Sequence, residues 1–236
     1  MTIEEIFESI IAEGRHDPGA FKCVFLCGAP GSGKSSIENR LGLRHQGLKP
    51  LNADGTKYYL EQSKRTKQVD YPAAGSATER RFGIWANNYL GLIVNTTGRN
   101  ADVILRLNKQ LQNAAYDTFM IYVAVDEQTA RERIQSRVTH ATDPMDINRE
   151  VNEKYFNEAY PMVVKNVELY STLFGENFCT IDNNGSTPDS NDFEQTRKKI
   201  NKFLSTPLKP EAQQKLAGIK PRNPLNIGRK FSNLSA

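Results

Sequence analysis

Gly28-Ala29-Pro30-Gly31-Ser32-Gly33-Lys34-Ser35 follows the spacing G-x-x-x-x-G-K-[ST], and each residue type in it has a physical reason to hold phosphate. Glycines let the backbone turn so that its N–H groups point inward and form an anion-binding nest. The helix that follows presents its N-terminus, with unpaired N–H groups and the positive end of its dipole. Lys34 is placed to reach the β- and γ-phosphates of a nucleoside triphosphate, and the Ser35 hydroxyl to ligate Mg2+. Gly28 through Ser36 is therefore the expected nucleotide-binding stretch, with Ser35 the expected metal ligand.

Three further stretches carry groups suited to phosphoryl transfer. Asp54 follows the short apolar run PLNA. In open α/β sheets ligands lie outside the carboxyl ends of the strands, so this acid and the loop share one rim. A carboxylate there can take the proton of an acceptor hydroxyl as that oxygen attacks phosphorus. The alternative is an Asp-Gly turn or a helix cap. LIVNTTGRN (92–100) is a buried-strand run whose end holds Asn95 where such enzymes often keep a metal-holding acid. Thr96 or Thr97 is available to substrate or to a metal's water, and Gly98 permits close backbone approach. Arg99 either faces a phosphate or pairs with a surface acid. In VDEQTARERIQSRV, Arg133 and Arg137 share a helical face at i, i+4, while Arg131 projects elsewhere. The planar guanidinium suits the charge on equatorial phosphoryl oxygens, which makes Arg133 and Arg137 the expected lid arginines; the alternative is a solvated helix with Glu132 as partner.

These groups must be positioned by alternating elements. Strands are expected at 21–27, 50–53, 92–97, 118–125 and 177–182. Helices are expected at 3–13 (with a Thr2/Glu5 capping box), 34–43, 76–90, 100–114, 127–138, 147–172 and 191–204. Apolar strands alternating with helices predict an α/β doubly wound parallel five-stranded sheet. Residues 61–75 read as a loop near the substrate side, and 138–150 as a mobile lid with His140 on its surface.

Composition supports one large domain, residues 1–204, followed by a tail, residues 205–236. No apolar run is long enough to span a membrane, and the acidic, amphipathic start is unlike a signal peptide. Cys23, Cys27 and Cys179 are odd in number, lack metal spacing and sit in apolar runs, as buried free thiols of a reducing cytoplasm do. The tail holds Lys209, Lys215, Lys220, Arg222, Arg229 and Lys230 against Glu211 alone, so the chain's net charge of +4 resides there. With four prolines it reads as an extended arm or linker, either contacting nucleic acid or solvated or wrapping a subunit.

In this order, GAPGSGKSS, LNADGTKYYL, LIVNTTGRN, YDTFMIYVAVDEQTARERIQSR and KNVELYSTLFGENFCTIDN resemble phage-encoded P-loop kinases, similar to the zeta-toxin family and, more distantly, to polynucleotide kinases. The resemblance implies a five-stranded P-loop kinase core, ATP and Mg2+ as cofactors, a hydroxyl-bearing acceptor and an Arg-bearing lid. Asp54 matches the family's base, and Arg133 and Arg137 best match its lid arginines. Asn95 departs from the family's usual acid. The family's nucleotide-sugar acceptor and toxin role are not carried over, since no sugar pocket stands out residue by residue.

The leading expectation is an ATP- and Mg2+-dependent kinase acting on a nucleotide, nucleotide sugar or related small molecule, with Lys34, Asp54, Arg133 and Arg137 as catalytic residues. One alternative is a polynucleotide or modified-base DNA kinase using the basic tail as an arm. Another is a nucleotide-binding module without catalysis, which Asn95 keeps open.

Overall fold

The run Lys22–Cys27 is apolar apart from its first residue and is buried throughout, the pattern of a parallel strand covered on both faces. In this computed structural model, which describes residues 19–64, 69–140 and 151–218, it is β1 and sits at the centre of the sheet. The other strands are β2 (Lys49–Leu51), β3 (Leu92–Thr96), β4 (Asp117–Ala124) and β5 (Phe178–Asp182). All pair in parallel, in the order β2-β3-β1-β4-β5. The described helices are α1 (Lys34–Arg40), α2 (Ala53–Lys64), α3 (Tyr71–Asn87), α4 (Ala101–Asn113), α5 (Glu127–His140), α6 (Glu153–Phe174), α7 (Ser190–Ser205) and α8 (Pro210–Ala217).

Side chains of successive strand residues point to opposite faces, and this divides the apolar residues between two cores. Phe25, Cys27, Val94, Met120 and Tyr122 meet Phe82 of α3, Ile104 of α4, Tyr170 of α6 and Ala212 of α8. Val24, Leu26, Ile93, Ile121 and Val123 meet Ile37 of α1 and Phe193, Ile200 and Phe203 of α7. A third, smaller cluster of Val125, Ala130 and Phe156 joins α5 to α6 beside the carboxyl end of β4.

Strand register brings the ends of the three strands that precede expected site segments to one rim. Phe25 pairs with Val94, and Val94 with Leu51. The loop after β1, the Asn95–Thr96 end of β3 and the segment after β2 therefore leave the sheet at the same level. Only β3 separates β1 from β2, a lateral offset of about 10 Å at the usual strand spacing.

Two expectations change. The 61–75 stretch is not a loop at either of its described ends: residues 61–64 close α2, and α3 starts at Tyr71. Asn52 starts α2 by accepting from the Gly55 amide. Asp70 caps α3, its Oδ1 accepting from the Ala73 amide at 2.8 Å with a proline in the first turn. The tail also does not leave the domain at Ser205. Its first part folds back as α8, burying Ala212 in the core, with Leu208 and Leu216 packed against it. Lys209 pairs with Asp117 Oδ1 at 2.8 Å, and the fully buried Lys22 holds Oδ2 at 2.8 Å, so part of the tail's charge serves the domain itself. The 3–13 helix, the Thr2/Glu5 box, the 141–150 part of the lid and residues 219–236 lie outside the described residues. Cys23, Cys27 and Cys179 are buried free thiols. Among the described residues no helix is long and apolar enough to cross a membrane.

Candidate active site

The loop 28–33 is closed by local hydrogen bonds and clamped from two sides. Ser32 N–H donates to Ala29 O at 3.1 Å, and Ile37 N–H to Gly33 O at 3.1 Å, which starts α1. Gly31 and Gly33 have φ of 81° and 86°, a region that L side chains rarely enter. Space forbids a side chain as well: a Cβ on Gly31 would strike the Ala130 carbonyl of α5, and one on Gly33 the Asn183 side chain. Asn183 follows β5 and is buried. Its Nδ2 donates to Ser32 O at 2.7 Å, and its own N–H continues the β4–β5 ladder to Ala124 O at 3.0 Å.

Lys34, half-buried, lays its ammonium on the loop, donating to Gly28 O at 2.7 Å and Ala29 O at 3.0 Å. Ala29 is buried, Pro30 is partly buried, and Ser35 and Ser36 are exposed in the first turn of α1. Beneath the loop, the Cys27 thiol donates to Thr97 O at 3.2 Å. Burial pushes this thiol up to about 12, against a smaller downward pull from Lys34.

Of the two arginines expected in a lid, Arg133 on α5 is the one that reaches the loop. Its Nη2 donates to Gly185 O at 2.7 Å. Its Nη1 lies 3.9 Å from where a Gly33 Cβ would stand. That Nη1 and the Ser32 hydroxyl are buried and have no hydrogen-bond partner among the described residues. Leaving a buried polar group unpaired costs about 1–3 kcal/mol, and an anion would satisfy both of these donors. Arg137 is partly buried one turn further along α5. Arg131 turns away to Glu127 at 2.8 Å and to the Phe156 ring at 4.4 Å. Asp126 starts α5, with hydrogen bonds from the Thr129 amide and hydroxyl that pull its carboxyl below the ordinary value.

On the other side of the loop, Asp54 lies in the first turn of α2, so the Asp-Gly pair is not a reverse turn. The capping side chain is Asn52, and Asp54 Oδ1 instead accepts from the Tyr71 hydroxyl at 3.2 Å. Lys57 Nζ lies 4.7 Å from the Tyr71 ring centre. Acid, phenol and ammonium thus form one group after β2, at the carboxyl end of the sheet.

The end of β3 differs from expectation in detail. Thr96 Oγ1 accepts from Gly98 N–H at 3.2 Å and Thr97 Oγ1 from Arg99 N–H at 3.4 Å, so both hydroxyls serve the local backbone. Gly98 approaches the Cys27 sulfur so closely that a Cβ would overlap it. Its carbonyl accepts from Tyr170 at 2.6 Å and Asn166 at 3.1 Å. Arg99 takes the surface option: it pairs with Glu158 at 3.7 Å and stacks on Tyr155 at 5.0 Å. Asn95 Nδ2 donates to Glu38 Oε2 at 3.4 Å. Sequence reasoning missed Glu38, Tyr71, Asn183 and Gly185. Only the Asn-Asn-Gly run after the last strand offered a local signal for the last two.

A family model described as Zeta toxin matches residues 10–187. Several solved structures share the fold. One comes from work on the PezAT chromosomal toxin–antitoxin system of Streptococcus pneumoniae, with a TM-score of 0.51 at 15% identity over 87% of this chain and 99% of that one. A presumed kinase from Chloroflexus aurantiacus aligns with a TM-score of 0.52 at 17% identity over 78% and 95% of the two chains. The AvrRxo1-ORF1:ORF2 complex with ATP aligns with a TM-score of 0.54 at 11% identity, over 75% of this chain and 62% of that one. No curated protein matches the chain.

Proposed function

The chain belongs to the zeta-toxin family, and from that premise we propose that it is a kinase moving the γ-phosphate of ATP to a hydroxyl acceptor. The observation that carries this reading is the pair of orphaned buried donors at the loop, Arg133 Nη1 and Ser32 Oγ. Among the described residues they have no acceptor, and they lie beside a glycine nest that binds anions. Kinase chemistry, rather than nucleotide capture alone, is supported by Asp54 on the same rim, held by Tyr71.

In this mechanism the loop amides and Lys34 hold the β- and γ-phosphates, the ammonium exchanging the Gly28 and Ala29 carbonyls for phosphate oxygens. Arg133 adds charge stabilisation through Nη1, and Arg137 follows it on the same helix side. Asp54 orients the acceptor hydroxyl and takes its proton as the acceptor oxygen bonds to the γ-phosphorus. The bond from that phosphorus to the bridging oxygen breaks, and ADP keeps the electron pair. Tyr71 fixes the rotamer of the Asp54 carboxylate.

The residues fit a hydrated cation carried by the phosphates. Among the described residues no group of three or more His, Cys, Asp or Glu could cage a metal, and Mg2+ favours few carboxylates plus substrate phosphate and water. Ser35 would hold it, and when bound it neutralises charge on the transferred group.

The test is incubation of the full chain with Mg-ATP and a pool of nucleosides, nucleotide sugars and oligonucleotides, followed by mass analysis. A product heavier by one phosphate supports the reading. ADP formation without any phosphorylated product shows hydrolysis in place of transfer and counts against the reading, and no turnover at all supports a binding module instead.

A further inference from the structure

Glu38 is a carboxylate with 1% relative exposure, placed in α1 three residues beyond Ser35. Such a group is costly to bury unless it is well paired. One oxygen is: Oε1 accepts from Arg44 Nε at 2.6 Å. Its other oxygen, Oε2, accepts among the described residues only a long 3.4 Å bond from Asn95 Nδ2. A carboxylate offers about four lone-pair sites, so Oε2 retains acceptor capacity. That oxygen points to the end of β3, where Asn95 pairs with Leu26, two residues before the phosphate loop. Ser35 and Glu38 share a flank of α1 at i, i+3, with about 5–6 Å between Cβ atoms. The chain therefore has a neutral residue where an acid is expected and a buried acid bonded to it from the neighbouring helix.

Resting on the phosphoryl-transfer reading above, we infer that Glu38, relayed through Asn95, supplies the negative charge that the end of β3 lacks and holds the hydration shell of the nucleotide's divalent cation. Direct ligation is not required. Mg2+ sheds water reluctantly, and outer carboxylates that orient its ligands commonly change metal affinity about 10–100-fold when lost. Asn95 is suited to the relay: its amide donates to Glu38, and its carbonyl oxygen accepts no hydrogen bond from the described residues. The competing account makes Glu38 a strut for Arg44 and the turn after α1. A strut is indifferent to the cation.

The two accounts separate in binding. Affinity for a non-hydrolysable ATP analogue is measured calorimetrically on the full chain, with chelator and then with Mg2+. In Glu38→Gln the tightening caused by Mg2+ shrinks about tenfold or more, while chelator affinity and thermal midpoint stay near wild type. Adding Asn95→Asp to that variant restores the tightening. Glu38→Gln that keeps the full Mg2+ effect overturns the inference, whatever its stability. Should Glu38→Gln fail to fold, Asn95→Ala decides, since it removes the relay and leaves the Glu38–Arg44 pair: a Mg2+ effect about tenfold smaller supports the relay, and an unchanged Mg2+ effect overturns it. Absence of any nucleotide binding by the wild type is a different failure, that of the kinase reading itself, and takes this inference with it.

Discussion

The buried side-chain amide of Asn183 donates to the carbonyl of Ser32 at 2.7 Å across 151 residues of chain. It ties the phosphate loop to the segment after the last strand, so the loop's shape depends on β5 being docked. Asn183→Ala leaves the Ser32 carbonyl buried and unpaired, and is expected to cost about 2 kcal/mol in urea unfolding. Nucleotide affinity should fall with it. Loss of stability with unchanged affinity would show that the tie supports the fold but not the loop.

Asp54 and its partner Tyr71 give the sharpest kinetic prediction. Asp54→Asn keeps size and the Tyr71 contact but cannot take a proton, so turnover should drop about a hundred- to ten-thousand-fold. Affinity for an ATP analogue should be unchanged. Tyr71→Phe should cost far less. Steady-state kinetics with calorimetry separates the two effects, and wild-type turnover in Asp54→Asn would remove Asp54 from the mechanism.

At the amino end of β4, opposite the phosphate-loop rim, Asp117 stands between Lys22 and Lys209. Burial by itself would raise this carboxyl, yet hydrogen bonds from Lys209 and Lys22 hold it below the ordinary value. A depressed carboxyl contributes stability in full above its unfolded value, about pH 4, and loses it as pH falls through the folded value. Asp117→Asn abandons Lys22, which is 1% exposed, and is expected to cost about 3 kcal/mol at neutral pH. Its stability should fall less steeply than the wild type's in acid. Denaturant titrations at several pH values check both.

The cysteines should be inert despite Cys27 adjoining the phosphate loop. Burial pushes its thiol up to about 12, so thiolate is scarce at pH 8. Cys179 is also raised by burial. Alkylation at pH 8 should therefore be negligible in the native protein and complete after denaturation. Rapid labelling of Cys27 in the folded chain would contradict its burial.

Much of this protein is written locally. The strand–loop–helix order of 22–40 is contiguous, and its glycines, lysine and serine need only neighbours in sequence to define an anion nest. Apolar strands alternating with helices likewise announced a parallel sheet, since both faces of such strands are covered. Local pattern failed where local signals conflict. Asp54-Gly55 looks like a turn, but the Asn52 cap and packing on α3 make it helix. The prolines after Ser205 suggested an extended arm, but burial of Ala212 and the Lys209–Asp117 pair fold α8 onto the domain. What only the tertiary structure decided are pairings between distant residues: Arg133 with Gly185, Asn183 with Ser32, Glu38 with Asn95. Hydrogen bonds reach about 3 Å, and which groups come that close is set by strand order and helix docking, neither of which has a signature in the sequence near the residues themselves.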